Sequence, residues 1–324
     1  MSRGASCAVE VSALTKRYPG GVKALAGLSF AVEPATVFGL LGPNGAGKTT
    51  AVKILTTLAM PDSGNARVLG FDVAREAAEV RRRIGVTFQR SGADQEATGG
   101  ENLMLQGRVY GMQQGELTRR VGELLRQFDL HRAADRLVRT YSGGMQRKLD
   151  IAMALLHGPS VLFLDEPTAG LDPEARAELW SQVSALTENG TTVLLTTHYL
   201  EEADKLAHRL AIIDRGRAVA EGSPDALKAQ LRGDALHLEL DESVEASDIE
   251  RMLAGLHGLH DVVLDGKQLR ARAEDGGAAL PVVLATLDTE GVGIASATVA
   301  RPTLDDVYLL HAGRSFRQAQ GGGA

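Results

Sequence analysis

Cysteine and long apolar runs are both scarce in this sequence, and each scarcity excludes a class of protein. The 324 residues include one cysteine, Cys7, so no disulfide can form within the chain. A chain of this size without disulfides is typical of a reducing compartment. The nearest candidate for a membrane helix, at 279–287, is far shorter than the roughly 20 apolar residues that crossing a bilayer requires. Residues 1–7 have no apolar core of the kind that signal peptides carry. We therefore expect a cytoplasmic chain that does not span a membrane by itself.

An excess of positive charge is also missing. The formal net charge is −6 at pH 7, which argues against a protein that binds nucleic acid through a general positive field. The apolar fraction of 44% is ordinary for a globular protein, and the length allows one large and one small domain or two of middling size. We expect a substantial core and no nucleic-acid partner.

A glycine-rich stretch between a strand-like run and a helical run is the most informative part of the chain. Its residues are Gly42, Pro43, Asn44, Gly45, Ala46, Gly47, Lys48, Thr49 and Thr50. The pattern is that of a phosphate loop: the N–H groups of a helix start favour a bound phosphate, and glycines let the backbone approach it closely. Lys48 is the expected partner of the β- and γ-phosphates, and the Thr49 hydroxyl is an expected Mg²⁺ ligand. A chance glycine-rich turn is the alternative, which the flanking strand and helix disfavour.

Polar side chains follow three other strand-like runs. They are Gln89, the pair Asp165 and Glu166, and His198. Ligands of open α/β sheets gather outside the carboxyl ends of the strands, so these side chains are candidates for one site. Beside a phosphate loop, Asp165 fits a Mg²⁺ ligand and Glu166 a general base, while Gln89 can reach the Mg²⁺ or its water. Taken singly, the acids could be surface residues and the histidine could be structural.

Two other features have both a structural and a functional interpretation. Ser142 is placed to cap the helix that follows it, and Gly143 and Gly144 leave the first N–H groups of that helix open to an anion. Plain capping is the alternative. Tyr18 is either a packed edge aromatic or a ring that stacks on a nucleotide base, and its position alone does not decide between them.

Composition and periodicity divide the chain into two domains and a tail. Residues 8–232 form the first domain, with a helical subdomain at about 95–157 in which apolar residues recur at helical spacing. Gly233 is the expected boundary. Residues 234–314 have the order strand, helix, strand, strand, helix, strand, which is typical of a small α+β ferredoxin-like domain. Residues 315–324, rich in glycine and glutamine, are expected to be disordered.

Together these motifs resemble those of the ATP-binding subunit of an ABC transporter, and the resemblance covers roughly residues 8–230. In the family's order and spacing, the chain has residues that look like the Walker A loop at 42–49, the Q-loop at Gln89, the signature motif at 141–146, the Walker B strand at 161–166, the D-loop at Asp172 and the switch histidine at His198. Tyr18 is similar to the family's adenine-stacking aromatic. The Tyr-Ser-Gly-Gly-Met signature and the segment 302–308 are most similar to daunorubicin-resistance exporter ATPases.

The resemblance implies a fold, a reaction and a set of site residues. The fold is an α/β P-loop NTPase cassette of the ABC type, with a mixed sheet core and a helical subdomain, and the chain hydrolyses ATP with Mg²⁺. The residues assigned to hydrolysis are Lys48, Gln89, Glu166 and His198. Those assigned to Mg²⁺ are Thr49, Gln89 and Asp165. Those assigned to the nucleotide are Tyr18, the loop at 42–50, Ser142, Gly143, Gly144 and Asp172.

The resemblance also implies partners. In the family, the loop that holds Lys48 and the helix start at Ser142 face the same γ-phosphate only across a head-to-tail pair of ATPases. A second copy of this chain is therefore one expected partner, and an integral membrane permease is the other, with the chain peripheral at the cytoplasmic face of the membrane. The narrower resemblance implies export of hydrophobic drugs or lipids. The alternatives are a soluble ABC ATPase of repair, translation or assembly, and a regulatory module without useful hydrolysis, which the intact Asp165, Glu166 and His198 disfavour.

Overall fold

The structure, a computed structural model, describes residues 7–231, 233–242 and 245–321. The chain divides after Glu221 into two compact units. Strands and helices are numbered in chain order. Among the described residues, no helix has both the length and the apolar character that crossing a membrane requires.

The first unit is organised around a sheet of largely parallel strands. Their bounds are β3 (Val37–Leu41), β6 (Ile84–Thr87), β7 (Val161–Asp165), β8 (Thr192–Thr197), β9 (Arg209–Asp214) and β10 (Arg217–Gly222). They lie in the order β10-β9-β3-β8-β7-β6, and β3, β6, β7, β8 and β9 pair in parallel. Every residue of β3, β7 and β8 is buried, because successive side chains enter separate apolar cores on the two faces of the sheet. The carboxyl ends of these strands consequently meet at one edge, where the predicted site residues follow them.

A second, antiparallel sheet covers one face of the first. Its strands are β1 (Val9–Arg17), β2 (Lys23–Val32), β4 (Ser63–Val68) and β5 (Phe71–Asp72), in the order β2-β1-β4-β5. The two sheets share a core in which Phe30 of β2 stacks on Phe38 of β3, with the ring centroids 5.3 Å apart. This sheet brings the turn after β1 to the edge where the phosphate loop lies.

Helices complete the first unit. They are α1 (Lys48–Leu55), α2 (Ala77–Arg81), α3 (Gly99–Val109), α4 (Gln114–Gln127), α5 (Gly143–Leu155), α6 (Pro173–Glu188) and α7 (Leu200–Leu206). Within the predicted helical region at 95–157, which is described throughout, the only β pairing is an isolated bridge between Thr98 and Leu137. Helices α3, α4 and α5 bury their apolar stripes in one core, and Leu103, Leu117 and Leu149 are fully buried there.

The second unit is a four-stranded antiparallel sheet with helices. Its elements are α8 (Pro224–Ala229), β11 (Asp234–Leu240), α9 (Ala246–Leu253), β12 (Leu259–Asp265), β13 (Gln268–Ala273), α10 (Gly276–Thr289), β14 (Ile294–Ala300), α11 (Leu304–Ala312) and α12 (Phe316–Gly321). The strand order is β12-β13-β11-β14, and each neighbouring pair is antiparallel. This is the split-βαβ arrangement, so the predicted ferredoxin-like fold is confirmed.

The structure differs from two predicted boundaries. The predicted boundary at Gly233 left α8 in the first domain, whereas α8 belongs to the second unit, where it packs on α11. The predicted disordered tail, 315–324, is helical at 316–321. Phe316 is buried with its ring edge-on to Tyr308, 4.9 Å between centroids, and the Ser315 hydroxyl donates to Asp265 Oδ2 at 2.6 Å. Burial of the Phe316 ring thus orders a segment whose polar composition predicted disorder. Residues 322–324 lie outside the described part of the chain.

Candidate functional site

The phosphate loop joins β3 to α1 and has a backbone that needs glycine at two positions. Gly47, the N-cap of α1, has φ +107, in the left-handed region, and a Cβ there would lie 2.4 Å from the Ala24 carbonyl oxygen. A Cβ at Gly42 would lie 2.4 Å from the Ile213 carbonyl oxygen. The loop is therefore pressed against its neighbours on two sides, and the first N–H groups of α1 face the cleft.

Lys48 lies buried at the base of this loop, with 4% of its side chain exposed. Its Nζ donates to the carbonyl oxygens of Gly42 at 2.7 Å and Pro43 at 3.1 Å, and lies 3.4 Å from Glu166 Oε1. Burial lowers the pKa of Lys48, while the Glu166 carboxylate opposes that shift. The Lys48 ammonium is thus held beside a carboxylate and is not exposed to solvent.

Asp165, the last residue of β7, lies next to the start of α1. Its Oδ1 accepts hydrogen bonds from the hydroxyls of Thr49, at 3.2 Å, and of Thr196, at 2.5 Å. Asp165 and Thr49 are 116 residues apart in sequence and are brought together because β3 and β7 both pair in parallel with β8. Their oxygen atoms form a donor set of the hard type that Mg²⁺ prefers.

Glu166 has an unusual backbone, with φ +49 in a residue that is not glycine. Its N–H donates to both the carbonyl and the hydroxyl oxygen of Thr196 at 3.1 Å, which holds the strained turn. As a result the carboxylate points into the cleft, with Oε2 3.2 Å from His198 Nδ1 and Oε1 near Lys48. Glu166 therefore contacts one residue from each of two other predicted motifs.

The cleft above these residues has a volume of about 580 Å³. Its lining residues are Tyr18, Val22, Lys23, Ala24, Asn44, Gly45, Gly47, Lys48, Thr49, Thr50, Gln89, Glu166 and His198. Tyr18 is 36% exposed, at the mouth of the cleft, which leaves its ring accessible to a flat ligand. The structure thus brings together the predicted loop, Tyr18, Gln89, Glu166 and His198.

The other predicted nucleotide residues do not line this cleft. The Ser142 hydroxyl accepts from the Met145 N–H at 3.2 Å and caps α5, and Asp172 Oδ1 accepts from the Ala175 N–H at 2.8 Å and caps α6. The two helix starts pack together: a Cβ at Gly144 would lie 3.1 Å from that of Ala175. Ser142, Gly143, Gly144 and Asp172 therefore form a second group, separate from the residues around Lys48.

Arg147 and Thr196 were missed by the sequence interpretation. Arg147, on α5, is 7% exposed, and its guanidinium donates to four carbonyl oxygens. These belong to Phe88, at 2.5 Å, Asp165, at 2.9 Å, Glu166, at 3.0 Å, and Pro167, at 2.8 Å. An arginine inside the apolar stripe of a helix is the signal that could have identified it, since a buried guanidinium needs partners. Arg147 fixes the backbone around Glu166 and immediately before Gln89.

Glu202, on α7, is a fully buried carboxyl, at 0% exposure. Trp180 Nε1 donates to its Oε1 at 3.1 Å, and the hydroxyls of Thr168 and Thr197 also face it. Burial raises the pKa of Glu202, and these hydrogen bonds and the positive charge of Arg176 oppose that rise. The carboxyl joins α6 and α7 to the strand end that precedes His198.

We expect Glu202→Gln to make the free energy of unfolding less dependent on pH. Because the pKa in the folded state is above the ordinary value of 4.5, the folded chain keeps a proton that the unfolded chain loses, so stability falls as pH rises from 4.5 towards the folded pKa. Glutamine has no such proton to lose. Urea unfolding at several pH values, followed by the fluorescence of the single tryptophan, Trp180, measures the slope. The exposed Glu201→Gln on the same helix is the control and keeps the wild-type slope; an unchanged slope in Glu202→Gln contradicts the expectation.

Comparisons with known proteins agree with this geometry. Residues 25–169 match the family model described as "ABC transporter", and residues 222–312 match "ATP-binding protein DrrA1-3-like, C-terminal domain". The chain is 48% identical to daunorubicin resistance ATP-binding protein DrrA2 of Streptomyces coeruleorubidus, over 93% of this chain and 94% of that protein. It is 42% identical to Nod factor export ATP-binding protein I of Paraburkholderia xenovorans, over 82% and 89%.

Solved structures show the same fold. A structure titled as the ATP binding subunit of an ABC transporter superposes with a TM-score of 0.62 at 31% identity, covering 69% of this chain and 93% of that one. The dimeric structure of a post-hydrolysis state of an ATP-binding cassette bound to ADP and Pi superposes with a TM-score of 0.61 at 27% identity, over 66% and 98%. The predicted α/β cassette fold is confirmed.

Proposed function

We propose that two copies of this chain, which belongs to the family of ABC transporter ATP-binding proteins, drive a separate membrane subunit. The same family includes the ATP-binding proteins of daunorubicin resistance and of Nod factor export. As the ATP-hydrolysing subunit of an exporter, the chain binds nucleotide. The single observation that carries the proposal is the meeting of Lys48, Glu166 and His198 at the phosphate loop, with Nζ–Oε1 and Nδ1–Oε2 separations of 3.4 and 3.2 Å.

ATP is the substrate of the cleft. The N–H groups at the start of α1 and the Lys48 ammonium neutralise the phosphates, and the left-handed Gly47 lets the loop close around them. The accessible ring of Tyr18 offers a stacking surface for the base. A cleft of about 580 Å³ with these groups on its walls has the size of a nucleotide site.

Mg²⁺ is the proposed metal, with Thr49, Asp165 and Gln89 as the residues that would hold it. The fit rests on the oxygen donors of Thr49 and Asp165 already in hydrogen-bond contact at 3.2 Å. When bound, the ion would offset the negative charge on the phosphates.

Glu166 is the proposed general base. Its carboxylate, held in place by the Thr196 hydrogen bonds to its backbone and by Arg147, can accept a proton from an attacking water. His198, which contacts that carboxylate, is the proposed hydrogen-bond donor to the terminal phosphate. The Lys48 side chain lies beside Glu166, and its ammonium form would favour the build-up of negative charge in the transition state.

A pair of chains is proposed because the residues predicted for one nucleotide lie in two groups. Ser142, Gly143, Gly144 and Asp172 do not line the cleft that holds Lys48. The relative solved with ADP and Pi is a dimer, and a head-to-tail pair would give each cleft the missing group from the second copy. ATP would then join two identical cassettes, and its hydrolysis would separate them.

The membrane subunit is proposed to dock on the helical part of the first unit. Leu105 and Val109 on α3 are 59% and 72% exposed, and Tyr110, which follows the helix, is 41% exposed, an apolar surface that a soluble monomer has little reason to keep. Docking there would hold the chain peripherally at the cytoplasmic face of the membrane. Since relatives are named for daunorubicin resistance and Nod factor export, we propose a hydrophobic drug or a lipid-like compound as the exported cargo.

Purification of the tagged full chain from detergent-solubilised membranes of its own host tests this assignment. We expect a polytopic membrane protein to co-purify in stoichiometric amount, and Leu105→Asp with Val109→Asp to lose it while ATP binding persists, because the charged pair prevents apolar contact. Lys53→Asp, at another exposed helical position, is the control that retains the membrane protein. A chain found only in the membrane-free extract with full ATPase activity would instead indicate a soluble ABC ATPase.

A further inference from the structure

Arg176 and Tyr199 lie on the side of His198 that faces away from Glu166, and the proposed function gives neither of them a role. The Arg176 guanidinium carbon lies 4.6 Å from the centroid of the Tyr199 ring. The Tyr199 ring in turn lies 4.1 Å from the His198 ring, tilted by 38°. On its far side His198 contacts Glu166, so four side chains form a continuous row from α6 to the cleft.

Tyr199 is held by the backbone around it. It is the N-cap residue of α7 with an extended conformation, its N–H donates to Thr197 Oγ1 at 2.9 Å, and its carbonyl accepts from Ala203 N at 3.3 Å. The backbone that carries the Tyr199 ring is therefore held in place just after β8. A ring fixed in this way restricts the planes that the adjoining imidazole can adopt.

Arg176 depends on the ring more than on hydrogen bonds. Its Nη2 reaches the Leu171 carbonyl at 3.4 Å, a long contact, and its buried Nε has no hydrogen-bond partner among the described residues. A guanidinium over a ring face is stabilised by the electrostatic attraction between its charge and the ring's quadrupole. Contact with Tyr199 is thus one restraint on Arg176, beside the electrostatic interaction with the Glu202 carboxyl, and Arg176 restrains Tyr199 in return.

Arg176, the first residue of the row, lies close to Asp172 of the second group of site residues. Arg176 lies in the first turn of α6, which Asp172 caps, and its N–H donates to the Asp172 carbonyl at 3.0 Å. Leu171 packs near Gly143 of α5, where a Cβ would lie 3.7 Å from Leu171 Cδ2. The row therefore connects the helix starts at Ser142 and Asp172 with His198.

We propose that Arg176 and Tyr199 are positioning residues for His198. The guanidinium fixes the tyrosine ring, the ring fixes the plane of the imidazole, and the imidazole is thereby held against Glu166 where the terminal phosphate of ATP reacts. Through Leu171 and Asp172 the same row lets the start of α6, which meets the second copy in the proposed pair, bias the orientation of His198. This inference rests on the proposed function.

Steady-state ATP hydrolysis by the full chain tests the inference. For Tyr199→Ala we expect kcat to fall about 10-fold with the KM for ATP within about twofold, because a misoriented group costs rate rather than ground-state binding. Tyr199→Phe keeps the ring and retains most of the wild-type kcat. Arg176→Gln, which loses the charge over the ring, falls between the two.

The decisive comparison is made in a His198→Ala background. If Tyr199 acts only by orienting the imidazole, Tyr199→Ala has no further effect on kcat once the imidazole is gone, so the two losses are strongly non-additive. Additive losses, an unchanged kcat in Tyr199→Ala, or a Tyr199→Phe variant as slow as Tyr199→Ala would each overturn the inference. Thermal unfolding of each variant shows that the chain is folded. A wild-type chain without ATPase activity, or a His198→Ala variant with full activity, would overturn the proposed function and this inference with it.

Discussion

Lys48→Ala loses nearly all ATP hydrolysis, with an expected fall of at least about 100-fold in kcat, similar to the removal of a main electrostatic contact to a transition state. The reason lies in the position of the ammonium. It is 4% exposed, anchored by the Gly42 and Pro43 carbonyls, and lies beside Glu166 in the cleft, so alanine at this position removes a positive charge that is fixed where the phosphates bind. Phosphate release with Mg-ATP in excess measures the effect.

Two controls accompany the Lys48 variant. Lys53→Ala changes an exposed lysine on the same helix and keeps wild-type turnover. Lys48→Arg keeps the charge but places a larger planar group in a buried site, so we expect it to be nearly as inactive as Lys48→Ala. Normal turnover in Lys48→Ala would show that the loop between β3 and α1 is not the phosphate site.

Glu166→Gln binds ATP but hydrolyses it at least about 100-fold more slowly, because an amide cannot accept the proton of the attacking water. Since hydrolysis is what separates the proposed pair, the variant accumulates as an ATP-bound dimer. Glutamine has nearly the same volume, so the strained backbone at φ +49 and its hydrogen bonds to Thr196 are expected to persist. Sizing chromatography with and without Mg-ATP measures the change from one chain to two.

The matched control for this variant is Glu188→Gln, an exposed acid at the far end of α6 from Asp172. This control variant is expected to elute as the wild type does, because any dimer dissociates once its ATP is hydrolysed. A Glu166→Gln variant that binds ATP yet remains a single chain at micromolar concentration would rule out ATP as the link between two copies. The proposed roles of Ser142 and Asp172 would then have to be abandoned as well.

Several parts of the site were predictable because their signals are local. The phosphate loop needs glycines at fixed intervals between a strand and a helix, and the structure has β3 and α1 in those places. The convergence of Glu166 and His198 on Lys48 followed from one rule, that parallel strands end at the same edge, and the structure brings the three side chains into contact. The alternation of strand and helix patterns likewise predicted the ferredoxin-like order of strands and helices in the second unit.

Other features depend on contacts between distant segments. Arg147 donates to backbone oxygens of residues 88 and 165–167, and nothing in the helix around it indicates those acceptors. Nor does the sequence indicate that Arg176 lies over Tyr199, 23 residues further along the chain, because the contact requires α6 and α7 to pack together. The sequence also misplaced α8, whose own pattern is that of any short helix.

The amino-acid sequence by itself determined the order and spacing of the residue types in this protein, and with them which residues are candidates to hold phosphate, metal and proton. These properties depend on residue type and on short spacings, which a linear sequence contains in full. Only the tertiary structure decided which of those residues share a cleft, which form a second group away from it, and which buried side chains hold them in place. Such choices depend on the packing of strands and helices more than 20 residues apart, and a buried polar group finds its partners only when that packing is complete.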